Sequence, residues 1–245
     1  NMISSDIEVS DSSFENKITN FIQKSLNTDI TNIIPKHIYQ VWMQGNGNEN
    51  IKNNVMLFNA GYQYSFFNEK SCYKYIQDHF DKNIADVFTN LKNPAHKCDL
   101  FRYCLLYRDG GIYIDYDLQM NVSLDTMMQQ SNYSEFITSI GAHSNNRFGE
   151  CTNGFIFTKK ENPIFLQLIN HIVNTPNPSD YGNYVKDLYN KLNNPIPFQP
   201  FIINNVKTYL FKEVCSEQKY YIINEHNRAI VNTNGHNYLQ HMGTI

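Results

Sequence analysis

No run of apolar residues in the chain approaches the roughly 20 needed to cross a bilayer, so no spanning helix is expected. The N-terminus also lacks the basic-then-apolar order of a secretory signal. Dense Lys/Arg tracts are missing, and with a formal charge of −3 this argues against nucleic acid or an anionic membrane surface as the main partner. CxxC pairs are absent: Cys72, Cys98, Cys104, Cys151 and Cys215 are odd in number and suggest neither a disulfide framework nor a zinc ribbon. These absences lead us to expect a soluble chain in a cytoplasmic or otherwise reducing compartment, acting on a small or neutral substrate. Asparagine is plentiful but scattered, which fits an AT-rich coding sequence better than a chemical role.

What the chain does have is length. Its 245 residues suffice for one well-buried domain, and no compositional break divides them. We expect a flexible polar N-terminus over 1–10, with Asn1 standing ahead of a natural start at Met2, and a single domain over 11–245. Phe14, Ile18, Phe21, Ile22 and Leu26 recur at helical spacing behind Ser and Asp cap candidates. "IPKHIYQVWM" and "YQYSFF" read as strands, with helices from a Ser71 cap through Phe80 and from Ile84 to Leu91. A helix from Pro94 runs to a stop at Gly110, followed at once by the strand "GIYID". Beyond it, "CTNGFIF", a helix opened by Asn162-Pro163, "KYYIIN" and "RAIVN" continue the alternation. The pattern predicts an α/β fold with a single mixed, mostly parallel sheet flanked by helices on both faces. Ligands of such sheets gather at the carboxyl ends of the strands.

Two acids stand at one of those ends. In "LYRDGGIYIDYDLQM", a strand period of two would turn Tyr113, Asp115 and Asp117 to one side, and Ile112, Ile114 and Tyr116 to the other. Adjacent carboxylates facing one way repel unless a cation lies between them, and hard cations such as Mg²⁺ or Mn²⁺ take such oxygen ligands. Upstream, Asp99 and Arg102 share a helix face inside an otherwise apolar segment. Taken alone, that pair is equally well read as a surface ion pair of small energy.

"IPKHIYQVW" followed by "DLFRYCLLYRDGGIYIDYD" resembles the DXD-containing glycosyltransferase family 32, which is related to initiating mannosyltransferases and to the large clostridial glucosylating toxins. The specificity lies in D-x-x-R-Y, L-Y-x-x-G-G and I-Y-x-D-x-D in one run, since a bare DXD is weak. The resemblance implies a GT-A fold, a nucleotide-sugar donor, a glycan or protein acceptor, Mn²⁺ or Mg²⁺ as cofactor, and hexosyl transfer with retention. UDP-glucose is the favoured donor, with other UDP-hexoses and GDP-mannose open.

By the same resemblance Trp42 stacks on the nucleotide base, and Asp99 and Arg102 hold the sugar hydroxyls and the phosphate side. Tyr113 lines the donor pocket, Asp115 contacts sugar or ribose and metal, and Asp117 ligates the metal directly. Asn153-Gly154 resembles a strand entry beside the donor sugar. His241 resembles a third metal ligand, with His236 or no protein ligand as the alternatives. Asp115, Asp117 and Arg102 are thus the expected catalytic set. A Mg²⁺-dependent haloacid-dehalogenase-type phosphatase is the alternative enzyme, since it also ends a strand in D-x-D, and a catalytically inactive nucleotide-sugar-binding module is the other.

Overall fold

The computed structural model describes residues 34–141, 151–174, 197–216 and 219–233, all within one compact unit that begins at Ile34. The helix expected over 14–26 lies outside them. The strands are β1 (His37–Val41), β2 (Gln63–Phe67), β3 (Gly111–Ile114), β4 (Leu118–Met120), β5 (Phe136–Gly141), β6 (Phe155–Thr158), β7 (Phe201–Ile203), β8 (Val206–Ser216), β9 (Lys219–Ile223) and β10 (Ala229–Thr233). The helices are α1 (Glu49–Leu57), α2 (Glu69–His79), α3 (Lys82–Asn90), α4 (Pro94–Asp109), α5 (Leu124–Gln130) and α6 (Pro163–Asn174).

One mixed sheet runs β2-β1-β3-β6-β5-β8-β9-β10-β4, with β7 paired to β8. The α/β expectation holds, and the sheet is mixed as expected. Its parallel share is confined to β1 with β2, β1 with β3, and β5 with β8. The remaining ladders are antiparallel. The reason is local: helices α1 to α4 supply the crossovers that parallel pairing needs, whereas β8, β9 and β10 return on one another through short connections.

Strand alternation sets the two layers. On one face Tyr39, Val41, Tyr113 and Ile156 pack with residues of α2, α3, α4 and α6. On the other, Ile38, Ile112, Ile114, Phe155 and Phe157 pack with Val55 of α1 and Leu124 and Met127 of α5. Helix α4 is buried all round from Asp99 to Leu106, the state expected of a helix without a polar face. Each of its fully buried Leu and Phe side chains contributes roughly 1.5–3 kcal/mol relative to exposure. Asn93 caps it by accepting the Ala95 N–H, and Pro94 occupies the first turn.

The glycine pair does two jobs. Gly110 ends α4 at φ +62°, where a Cβ would meet the Lys160 backbone nitrogen at 2.7 Å. Gly111, at φ +101°, admits the His37 carbonyl oxygen to 2.8 Å from where a Cβ would stand. The α2 cap differs from expectation: Asn68 is the cap and Ser71 its reciprocal partner, each side chain accepting the other's backbone N–H, at 3.0 and 2.9 Å.

Burial on β1 predicts a pH response. His37 stacks on Tyr39 with ring centroids 4.3 Å apart and shares a 2.8 Å hydrogen bond with the Ser65 hydroxyl. Burial lowers the pKa of His37, against a smaller opposing pull from Asp109, and burial lowers that of His96. Both groups bind protons less readily when folded, so stability is full above their unfolded pKa near 6.5 and falls as pH drops through the folded values. Thermal melting between pH 7.5 and 5 is expected to show that decline, and His37→Gln to flatten part of it; an unchanged slope in the variant would remove His37 as a cause.

Candidate active site at the carboxyl edge of the sheet

Because β1, β2 and β3 are mutually parallel, their carboxyl ends share one edge of the sheet, and β6, antiparallel to β3, begins there. Trp42 follows β1, Asn68 follows β2, Asp115 follows β3, and Asn153-Gly154 lead into β6. Topology therefore gathers residues spread over more than a hundred positions of sequence.

The strand pattern stops at Ile114, one residue before the first acid. The Asp115 N–H donates to the Gly154 carbonyl at 2.7 Å, and the Leu118 N–H donates to the Asp115 carbonyl at 3.1 Å. That second bond closes a four-residue turn with Tyr116 and Asp117 at its centre. Tyr113 and Asp115 do share a side, with the Tyr113 hydroxyl donating to Asp115 Oδ1 at 3.0 Å. The period of two does not extend to Asp117, which is placed by the turn rather than by the strand. Asp117 is half-buried there.

Asp99 and Arg102 are not a surface pair: their residues are 7% and 6% exposed. The Arg102 guanidinium lies 3.3 Å from Asp99 and 3.2 Å from Asp115 Oδ1. It also donates to the Asn153 carbonyl, and it sits over the Tyr113 ring at 4.3 Å. Burial works against the charged form of Arg102, yet Asp115, Tyr113 and Asp99 outweigh it and raise its pKa well above the ordinary value. Burial likewise raises the Tyr113 pKa well above its usual value despite Arg102, so the phenol stays a hydrogen-bond donor. Burial pushes the neighbouring Cys98 thiol up to about 12, which rules it out as a nucleophile at neutral pH.

Asn153 and Gly154 complete the cradle. The Asn153 side chain accepts the Tyr103 hydroxyl at 2.9 Å, tying the start of β6 to α4. A Cβ on Gly154 would stand 2.2 Å from Asp115 Oδ2, so the missing side chain is the space the carboxylate occupies. Gly154→Ala is therefore expected to turn the Asp115 carboxylate out of its niche. Because a misplacement of about 1 Å can cost 100-fold in rate, we expect a tenfold to hundredfold activity loss. Turnover close to that of the parent would mean the niche is dispensable.

Trp42 is half-buried, not a core residue, and its ring stacks on Tyr116 with centroids 5.5 Å and planes 27° apart. Phe66 meets the same Tyr116 ring at 5.8 Å. Tyr116, the residue between the two acids, was not singled out by the sequence. Neither was Gln40, which is fully buried on β1, accepts the Tyr64 hydroxyl at 3.0 Å and donates to the Asp115 carbonyl at 3.4 Å. The one signal for Gln40 was a lone amide inside an otherwise apolar strand. His241 and His236 lie outside the described residues.

The donor set suits a hard divalent cation. Asp115 presents Oδ2 in the Gly154 niche, and Asp117 adds a second carboxylate two residues on. Among the described residues no group of three His, Cys, Asp or Glu comes together. Two carboxylates are nonetheless the usual protein share for Mg²⁺-like ions, which keep waters and phosphate oxygens as their other ligands.

Comparison with known proteins bears on the same region. Residues 45–134 match the family described as glycosyltransferase sugar-binding region containing DXD motif. An uncharacterized glycosyltransferase of Acanthamoeba polyphaga mimivirus is 25% identical over 138 residues, covering 54% of this chain and 53% of its own. The mannosyl phosphorylinositol ceramide synthase of Saccharomyces cerevisiae is 27% identical over 113 residues, covering 44% of this chain and 29% of its own. Inositol phosphoceramide mannosyltransferase 3 of Schizosaccharomyces pombe is 25% identical over 144 residues, covering 57% and 37%. The chain thus spans about half or less of the length of these relatives. Among solved structures, the PaToxG glycosyltransferase is similar at a TM-score of 0.42 and 17% identity, over 71% of this chain and 72% of that one. Among the described residues no helix is long and apolar enough to cross a membrane. Over residues 45–134, the chain is thus similar to the sugar-binding region of the DXD-containing glycosyltransferases.

Proposed function

We propose that the chain is a GT-A-type, metal-dependent glycosyltransferase that moves a hexose from a nucleotide-sugar to a hydroxyl of a glycan or protein, with retention at the anomeric carbon. The observation that carries this reading is Arg102, buried between Asp99 and Asp115 beneath the D-x-D turn, on the edge where Trp42 stands half-exposed. A phosphatase of the haloacid-dehalogenase type would keep its first Asp available as a nucleophile. Here Asp115 is engaged by Arg102 and Tyr113, an arrangement for orienting a ligand.

In this reading Asp117 and Asp115 hold Mn²⁺ or Mg²⁺, which supplies neutralisation of the charge developing on the donor diphosphate. The chain's own groups do the positioning. Asp99 and Asp115 face the sugar hydroxyls as acceptors fixed by Arg102, whose Nε and terminal nitrogens are engaged with Cys98, Asp99, Asp115 and Asn153. Trp42 offers its indole face to the base. A cavity of about 620 Å³, a volume within the usual range for small-molecule sites, is lined by Met43 and Gly45 of the segment that follows Trp42 and by Asn68, Tyr73 and Lys97, with Trp42, Asp115 and Asp117 outside its wall. Among the described residues we read no side-chain carboxylate as a covalent nucleophile, which favours attack by the acceptor on the face the leaving group vacates.

UDP-glucose is the first donor to test, on the accessible Trp42. A mannosyl donor is the second, because two of the relatives are named for mannosyl transfer. Thermal-shift measurements with UDP- and GDP-sugars, each with and without Mn²⁺, decide between them, since a ligand of the folded state raises its melting temperature by mass action. At a ligand concentration 100 times its Kd the gain is about 2.7 kcal/mol. A shift that requires Mn²⁺ with one nucleotide class supports the reading; no shift with any donor overturns it.

A further inference from the structure

We propose that Tyr116, between the two aspartates, is a positioning residue that couples the Asp115–Leu118 turn to Trp42, so that cation binding at the turn and nucleoside stacking on Trp42 strengthen each other. The proposal rests on the metal and donor reading above and adds a link between two of its parts.

The contact is a near-parallel stack, with ring centroids 5.5 Å and planes 27° apart. Phe66 on β2 backs the Tyr116 ring at 5.8 Å, so the ring cannot withdraw from Trp42 without opening a gap. The Trp42 backbone is anchored by its N–H to the Phe67 carbonyl at 2.9 Å, so a change in the turn reaches the indole ring and not the strand. Gln40 and Tyr64 hold the first residue of the turn at its carbonyl, which leaves the central residues to respond. The Tyr116 hydroxyl is buried and has no hydrogen-bond partner among the described residues. The ring and not the hydroxyl therefore makes the contact with Trp42, and a phenylalanine would fill the same space without losing a hydrogen bond.

Drawing Asp115 and Asp117 onto one cation fixes the dihedral angles at the centre of the turn, and Tyr116 is that centre. Its ring orientation then sets how firmly the indole is held face-on for a base, a pre-organisation that must be reciprocal in binding free energy.

The only tryptophan in the chain reports on this directly. Uridine and guanosine carry no phosphate to touch a cation, so quenching of Trp42 by each, with and without Mg²⁺, isolates the coupling. Mn²⁺ binding is followed separately through the loss of the free-ion paramagnetic resonance signal. Mg²⁺ is expected to tighten binding of the quenching nucleoside about fivefold. That ratio should fall to about one in Tyr116→Leu and persist in Tyr116→Phe, with Mn²⁺ still bound by both. If Tyr116→Leu melts unlike the parent, Phe66→Leu, which lets the ring retreat, reads the same ratio. Mn²⁺ binding with a ratio of one in the parent, or a ratio kept in Tyr116→Leu, overturns the coupling and leaves the metal reading standing. No quenching by either nucleoside removes the base platform and the coupling with it. Failure to bind Mn²⁺ at all overturns the metal reading itself.

Discussion

Arg102→Leu is expected to lower the stability of the domain by about 3 kcal/mol or more, the range seen when one partner of a buried ion pair is removed. The guanidinium is 7% exposed and its Asp99 partner 10%, so the variant leaves a buried carboxylate without its cation. Asp115 is 37% exposed and adds less, because solvent screens it. The Asn153 carbonyl loses a donor as well, which loosens the start of β6. With a melting shift of about 2–4 °C per kcal/mol for a domain of this size, the drop should be roughly 6–12 °C. Arg102→Lys should recover only part of it, since one ammonium cannot serve Asp99, Asp115 and Asn153 together. A melting temperature within about a degree of the parent for Arg102→Leu would show that the network is not a structural support.

Much of this network was legible in the sequence, and for identifiable reasons. A Pro at the first turn, a glycine at the stop and an apolar interior mark α4 by local chemistry alone, and Asp99 and Arg102 stand out because they interrupt its buried stretch from Asp99 to Leu106, while its other charges, Lys97, Arg108 and Asp109, lie towards its ends. The glycine pair announces the abrupt join of α4 to β3. What lay hidden depends on contacts distant in sequence. Thr138 and Ser139 make β5 look like a polar stretch, but they are buried because Thr152 and Phe155, across the sheet, accept or share their hydroxyls. Helix α1 buries only Val55, so its sequence shows no wide apolar stripe, and its Asn48 cap sits inside what reads as a loop. The direction of Asp117 could not be taken from strand periodicity, since the ladder to β6 ends at Ile114 and a backbone turn takes over. Tyr116 is the same case seen from the other side. Alternation assigned it to the core side, whereas the turn carries it against Trp42.

That turn is why Asp117→Asn is the sharpest probe of the chemistry. Substituting Asp115 would disturb Arg102, Tyr113 and the Gly154 niche together, so lost activity could be blamed on lost structure. At Asp117 the turn is closed by backbone, through the Leu118 N–H and the Asp115 carbonyl, and asparagine is at home in such turns. Asp117→Asn should therefore keep the backbone turn, which its melting temperature checks. Its turnover should nonetheless fall on the order of a hundredfold or more, the scale of losing one preorganised electrostatic contact in a transition state. An amide oxygen is a weaker ligand for a hard cation than a carboxylate, so the Mn²⁺ concentration for half-maximal rate should rise, with excess Mn²⁺ restoring part of the rate. Donor affinity without metal should be unchanged, which separates a ligand of the cation from a residue that merely shapes the pocket. Near-parent turnover at saturating Mn²⁺ would sink the assignment and move the metal role to Asp115 alone.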